Sequence, residues 1–237
     1  MTNETARLPQ FPRVSDAVVQ SVEWHFEPYW KGDRLLANVD DGTVTLTDED
    51  GNPASDDLDE AAEVIRGALF DVESAVIDGV WTNQPFTGEG SAARHLAEAI
   101  AEEGLSEELP DPIANEKRHA FVAVDLIELD GLPLYDVPYV ERRRLLSSVI
   151  EENVRVRISP SVRMPVYNWM EAWHATGFEL CIAKHMNSRY HPGEVADDWL
   201  ILPTQRAAGP GALARLVGIR PKKVVHVDDT DPSPPRD

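Results

Sequence analysis

The order of hydrophobic patterns along these 237 residues predicts an α+β fold with mostly antiparallel sheets. Strand-like runs cluster at the start, alternate with helical patterns in the middle, and cluster again near the end. Asp41-Gly42 stands between two strand-like runs and is a strong hairpin signal. No strand–turn–helix unit carries a glycine-rich phosphate loop, which argues against a parallel dinucleotide-binding fold.

Residues 1–20 carry Pro9 and Pro12 and read as an N-terminal arm. Residues 24–34 are aromatic and alternate imperfectly, reading as a strand that runs into a turn at Gly32. Residues 35–39 form a second strand and residues 43–47, Thr-Val-Thr-Leu-Thr, a cleanly alternating third. Leu58, Ala61, Ala62, Ile65 and Leu69 recur at helical spacing, which predicts a helix over 58–70 with Asp57 as its N-cap. Residues 74–81 read as a strand around Asp78-Gly79, 91–103 as an amphipathic helix, and 104–117 as an acidic surface loop. Residues 120–127 form the most apolar run and a buried strand. A helix over 139–152 has a basic middle, Arg142-Arg143-Arg144. Residues 154–158 alternate as a strand. A helix over 167–176 stops at Gly177, a good residue just past a helix end. Strands follow over 179–184 and 199–202, with a short apolar run at 224–227. The polar, proline-rich end from 228 reads as disordered. The resulting organisation is an arm over 1–20, a main domain over 21–203 and a C-terminal extension over 204–237.

Acidic residues number 42 against 22 basic, the net charge is -20 and the pI is near 4.6. That is a poor footprint for tight duplex binding, which depends on Lys and Arg neutralising phosphates. The single cysteine, Cys181, excludes an intramolecular disulfide and a cysteine-rich zinc site. The histidines show no metal-ligand spacing. The first residues have neither a basic start nor an apolar core, and no apolar run approaches ~20 residues, so a cytoplasmic protein with no membrane span is expected.

Residues 26–34 read Phe-Glu-Pro-Tyr-Trp-Lys-Gly-Asp-Arg. They resemble the first signature of ATP-dependent DNA ligases, Glu-Pro-Lys-Trp-Asp-Gly-x-Arg. Glu27, Pro28, Trp30, Gly32 and Arg34 match. Tyr29 stands in place of the nucleophilic Lys and Lys31 in place of the Asp. Residues 121–146 are very similar to a segment of the bacterial repair ligases: a buried strand, an Asp-Gly turn, a Leu-x-Asp-x-Pro step and a Glu-Arg-Arg helix start. Val124 replaces the adenine-stacking Phe. Gly177-Phe178-Glu179-Leu180-Cys181-Ile182-Ala183-Lys184 resembles Gly-x-Glu-Gly-Val-Val-Ala-Lys, with Leu180 for the second Gly. Residues 188–193 resemble a Ser-x-Tyr-x-Pro-Gly loop. Asp198-Trp199-Leu200 starts like the last signature, but Ile201 and Pro203 replace its two phosphate-binding lysines. Asp78-Gly79 resembles Leu-Asp-Gly-Glu, with Val80 for the ribose-side Glu.

The resemblance implies an adenylation domain of two mostly antiparallel sheets flanked by helices, with a cleft between them. It implies ATP and Mg2+ as cofactors, Glu27, Arg34, Glu179 and Lys184 as nucleotide-side residues, and Glu179 as the metal-side carboxylate. The residues after 203 are too few for the family's C-terminal oligonucleotide-binding barrel. Tyr29 cannot supply the amine that attacks the α-phosphate. Lys31, two residues on along a strand, would share its face at a displacement of ~6.6 Å. Glu179 and Lys184 are five apart, so sharing a site requires a bulge or a strand end. The replacements gather where ATP would lie. The favoured expectation is a degenerate ligase-like domain that does not self-adenylate and acts as a weak nucleotide-binding or repair-partner module. Two alternatives stand: an active ligase or nucleotidyltransferase of DNA repair and recombination using Lys31, and a structural interaction domain.

Overall fold

The computed structural model describes residues 7–15, 19–84 and 119–204. The helix expected over 91–103, the loop over 104–117 and the features beyond 204 lie outside them. The described residues form two sheets. The first has the order β1-β11-β10-β2-β9, built from β1 (Phe11–Val14), β2 (Trp24–Pro28), β9 (Val162–Arg163), β10 (Leu180–His185) and β11 (Val195–Pro203). The second has the order β4-β3-β5-β6-β7, from β3 (Asp33–Asp40), β4 (Thr43–Thr47), β5 (Ser74–Thr82), β6 (Ala120–Leu129) and β7 (Leu132–Pro133), with β8 (Val156–Ile158) also on β6. All pairings are antiparallel except β1 with β11 and β6 with β8. The three described α-helices are α1 (Asp59–Arg66), α2 (Tyr139–Val149) and α3 (Tyr167–Ala175). The α+β expectation holds.

Period-two alternation sorts the second sheet into two faces. Leu35, Ala37 and Val39 of β3, with Phe121 and Ala123 of β6, pack on Ala61 and Ile65 of α1 and Leu146 and Val149 of α2. From the other face Leu36, Val76 and Ile127 meet Tyr190 and Trp199 of the first-sheet side. Burying each such large apolar side chain stabilises the fold by about 1.5–3 kcal/mol. A further cluster joins Phe26, Leu200 and Leu202 to Met170 and Trp173 of α3, and to Val80, Val122 and Val124 of the second sheet.

Several boundaries differ from the sequence reading, each for a local reason. The strand expected over 24–34 stops at Pro28, and Asp33 already belongs to β3. Tyr29 and Lys31 therefore lie in the connection, and the two-apart strand parity used for Lys31 does not apply. The first helix is preceded by a 3-10 turn, Asp56–Leu58, and Leu58 occupies the N-cap without a side-chain cap bond, so Asp57 is not the cap. The helix expected to reach 152 ends at Val149 because Ile150 turns extended and bridges Leu69. Phe11–Val14, read as part of an arm, is a strand on the edge of β11.

Gly32 makes the β2–β3 connection possible. Its φ is +154°, and a Cβ there would sit 2.1 Å from the Trp81 carbonyl oxygen. Backbone cannot yield to that contact without moving β5. Gly32→Ala is expected to cost about 3 kcal/mol of unfolding free energy, a size reserved for steric or strained sites. Urea denaturation reads this directly, and an unchanged midpoint would contradict the close approach.

Candidate functional site

β2 and β10 run side by side, so the first and fourth ligase-like signatures meet in one sheet. Glu27 lies opposite Ile182, His25 opposite Lys184, and the Tyr29 amide donates to the Leu180 carbonyl at 3.0 Å. Cross-strand partners share a face. His25, Glu27 and Lys184 accordingly point to one side, with Trp199 and Ile201 beside them on β11.

Lys184 is fully buried, although a lone buried ammonium is costly. Its Nζ donates to the Val124 carbonyl at 2.8 Å and lies 3.2 Å from Glu27 Oε1. It also sits 4.3 Å from the centre of the Trp199 ring and 5.0 Å from that of Tyr139. Burial pulls the Lys184 ammonium below the ordinary lysine range, and the Glu27 carboxylate opposes that pull. Glu27 also accepts a short hydrogen bond from the Tyr139 hydroxyl. Burial and the neighbouring Glu27 push that hydroxyl well above the ordinary tyrosine range.

Arg34 is drawn away from this pair. Its guanidinium forms a two-pronged contact with the buried Asp78, Nη2 to Oδ2 at 2.6 Å. Burial disfavours its charge, but Asp78 more than offsets that and raises its pKa. Tyr190 donates its hydroxyl to Asp78 at 2.8 Å and accepts the Gln10 amide at 3.0 Å. A third buried pair joins Arg142 to Asp125 through two bonds of 2.8 Å. Arg142 thus anchors α2 to β6, while Arg144 of the same triplet stays exposed.

Lys31 and Glu179 are at the surface. Lys31 Nζ donates to Glu179 Oε2 at 2.8 Å, with both side chains about half exposed. Glu179 precedes β10 and stays outside while Lys184 points in, as their opposite parity requires. The structure therefore joins the five site residues pairwise: Lys31 with Glu179, and Glu27 with Lys184, while Arg34 goes to Asp78. Among the described residues, no group of three or more His, Cys, Asp or Glu side chains is arranged to hold a metal ion.

Apart from Lys31, the replaced positions lie in apolar surroundings. Tyr29 packs with Leu180, Ile201 and Val14 in one apolar cluster. Pro203, opposite Leu180 in the register, is buried as well. Val80 and Val124 are buried together in the cluster around Trp30 and Leu200. The sole thiol, Cys181, is buried, and that burial pushes its pKa up to about 12. Sequence reasoning missed Asp78, Asp125 and Tyr139 as partners. The signal for the two aspartates was available: each is a carboxylate inside a run of apolar strand residues, which is rare unless paired.

Two outcomes follow from these contacts. Lys184→Met leaves the Glu27 carboxylate buried without its cation and is expected to cost about 3–5 kcal/mol in denaturant unfolding; a change within 0.5 kcal/mol, the ordinary scatter of surface substitutions, would contradict the pairing. The Lys31 hydrogen bond and charge hold the Glu179 carboxyl below the ordinary carboxylate range. Its ionised form is favoured, so the coupling is present above that range and is lost as pH falls through the depressed pKa. Lys31→Met should return the Glu179 titration, followed by NMR, to the ordinary range with little change in stability.

Residues 9–201 match the family model described as the ATP dependent DNA ligase domain. The chain is 29% identical over 198 residues to DNA ligase 2 of Methanosarcina acetivorans, a match covering 79% of this chain and 33% of that protein. It is 24% identical over 181 residues to DNA ligase C1 of Mycolicibacterium smegmatis, covering 72% of this chain and 49% of that one. Among solved structures, a mycobacterial DNA ligase D complexed with ATP and MES superposes with a TM-score of 0.58 at 22% identity, over 83% of this chain and 60% of that one. The ligase domain of M. tuberculosis LigD gives a TM-score of 0.57 at 23% identity, over 82% and 58%. The chain spans about a third of the length of the archaeal relative and half of the mycobacterial one. The family match takes in both sheets and every signature position from Glu27 to Ile201, and this chain belongs to the ATP-dependent DNA ligase domain family.

Proposed function

We propose that this chain is a ligase-type adenylation domain that does not form the covalent AMP intermediate and acts by binding rather than by group transfer. The observation that carries this reading is the apolar cluster of Val14, Tyr29, Leu180 and Ile201. By resemblance, positions 29 and 201 belong to the nucleophile and a phosphate-binding lysine, and 180 to a glycine. Here their side chains satisfy one another.

The side chains present do not fit a triphosphate with its metal. Stabilising such a charge needs cationic groups aimed at it. Lys184 is turned inward to Glu27 and the Val124 carbonyl. Arg34 is committed to Asp78, and Lys31 to Glu179. The metal-side role expected of Glu179 competes with that ion pair. A weak nucleotide contact through the exposed Lys31 and Glu179, binding to a DNA-repair protein, and a cytoplasmic setting complete the proposal. No helix among the described residues is long and apolar enough to cross a membrane. The net charge of -20 supports weak, salt-sensitive binding of duplex DNA by this chain alone.

A specific observation favours a second reading, in which Lys31 is a displaced nucleophile: its amine stands 2.8 Å from the carboxylate that resembles the family's metal ligand. Incubation with ATP and Mg2+ followed by intact-mass measurement decides between them. No AMP adduct is expected on the native sequence. An adduct that disappears in Lys31→Ala would establish the second reading and overturn the first. Tyr29→Lys alone is expected to stay near background, because losing even one electrostatic group of this kind costs on the order of 10²–10³ in rate and positions 201 and 203 lack two. The combined Tyr29→Lys, Lys31→Asp, Ile201→Lys, Pro203→Lys variant is the stricter test of what the site lacks.

A further inference from the structure

A basic shelf lies at the open edge of the first sheet, where β9 pairs with β2 and the Arg143 side chain of α2 reaches the Ser159 carbonyl. His25 and Arg163 are directly opposite in the β2–β9 register. Ser161 Oγ lies 3.1 Å from His25 Nδ1. By strand alternation Ser161, Arg163, His25 and Glu27 occupy one face. Arg143 reaches the same face from α2, its Nη2 donating to the Ser159 carbonyl at 2.7 Å. Its other terminal nitrogen, Nη1, is buried and has no hydrogen-bond partner among the described residues. The nearest carboxylate, Glu27, is 3.8 Å from it and is already engaged by Lys184 and Tyr139.

Arg163 is exposed and makes no ion pair among the described residues. Acidic residues outnumber basic ones by 42 to 22 in this chain, so carboxylates for pairing are abundant. Arg143 feels the charges of Glu27 and Asp125 and the Tyr139 hydroxyl, and both carboxylates are engaged by other cations, Glu27 by Lys184 and Asp125 by Arg142. We infer that Arg143, Arg163, Ser161 and His25 form a site for a phosphate-class oxyanion, free or as a terminal phosphomonoester. Two guanidiniums supply the charge-assisted donors that such an anion selects, and the serine hydroxyl and imidazole add short-range ones. Burial, and then the charges of Arg163, Arg143 and Lys184, lower the His25 pKa, and Glu27 opposes them. An anion placed against it favours the imidazolium, which adds a donor as the ligand binds. The site stands apart from the Tyr29 cluster and does not depend on whether the chain adenylates.

The test is NMR titration of the full chain at low ionic strength with inorganic phosphate, ribose 5-phosphate and ribose. Phosphate is expected to saturate the His25 ring signals and to raise the pH at which they titrate. Arg163→Ala should weaken phosphate binding roughly tenfold, the size of one charge-assisted hydrogen bond. Arg144→Ala, an exposed residue paired with Glu141, should leave it unchanged. Tighter binding of ribose 5-phosphate than of phosphate assigns the site to phosphomonoesters, and equal binding assigns it to the free anion. His25 signals indifferent to phosphate, an affinity unaltered by Arg163→Ala, or ribose binding as well as its phosphate would each overturn the inference. Arg163 is exposed at a two-residue edge strand, so its truncation leaves the fold intact for the comparison.

Discussion

The buried ion pairs of the two sheets are the constraint on which the rest of this structure depends. Lys184 and Glu27 belong to neighbouring strands of one sheet, yet the lysine amine reaches the Val124 carbonyl of the other. Arg142 binds Asp125 of β6 and also donates to the Ser188 carbonyl, which belongs to the connection between β10 and β11. Arg34 holds Asp78 within the second sheet, and Tyr190 carries that contact to the backbone of Gln10. Buried pairs of this kind add little net stability against an apolar replacement, because both charges lose their water. What they impose is geometry: a slip of one residue in β2, β5, β6 or β10 would leave a charge in the core with no partner.

That constraint also shapes the strands. The β5–β6 register shifts on either side of the Ile77–Asp78 pair, and Asp78 lies opposite Asp125 at the irregularity. Two carboxylates side by side are unfavourable unless each has its own cation. Arg34 arrives from β3 on one side and Arg142 from α2 on the other. Gly79, next to the shift, is needed because a Cβ there would fall 2.2 Å from the Phe121 ring. The Asp-Gly step that reads as a nucleotide signature thus has a sufficient structural cause in this chain.

Much of the fold was legible because it is written in short-range patterns. The hairpin at Asp41-Gly42 forms, with both residues at positive φ, as the dipeptide requires. The alternation of residues 43–47 and the apolar run from 120 become β4 and β6. What stayed hidden depends on distant partners. Phe11–Val14 has two residues of strand propensity and a proline, and becomes a strand only because β11 offers it an edge. The helix over 139–149 carries three arginines in a row, and nothing local says that Arg142 enters the core while Arg144 stays in solvent. The candidate site was legible as a set of residues but not as an arrangement. Lys31 looked like a strand neighbour of Tyr29, and that inference failed because the strand ends at Pro28.

The arrangement separates the ligase-like signatures into two kinds of position. Glu27, Gly32, Arg34, Asp78 and Lys184 all match the family pattern, and each has a structural partner that a substitution would strand: an ion pair for the charged four, a backbone approach for the glycine. Tyr29, Val80, Val124, Leu180, Ile201 and Pro203 depart from the pattern, and all of them face one another or the apolar interior. Retention of a signature residue is therefore weak support for nucleotide chemistry here, since the fold alone accounts for it. The departures are more informative. A lysine at 201 would have to extend from the centre of a sheet beside Leu180, Val14 and Tyr29, and the carboxylate in its cross-strand row, Glu27, is already engaged by Lys184 and Tyr139. The apolar choice at each of these positions makes the others tolerable, so the cluster behaves as one unit, and a single restored lysine would enter a site built to exclude charge.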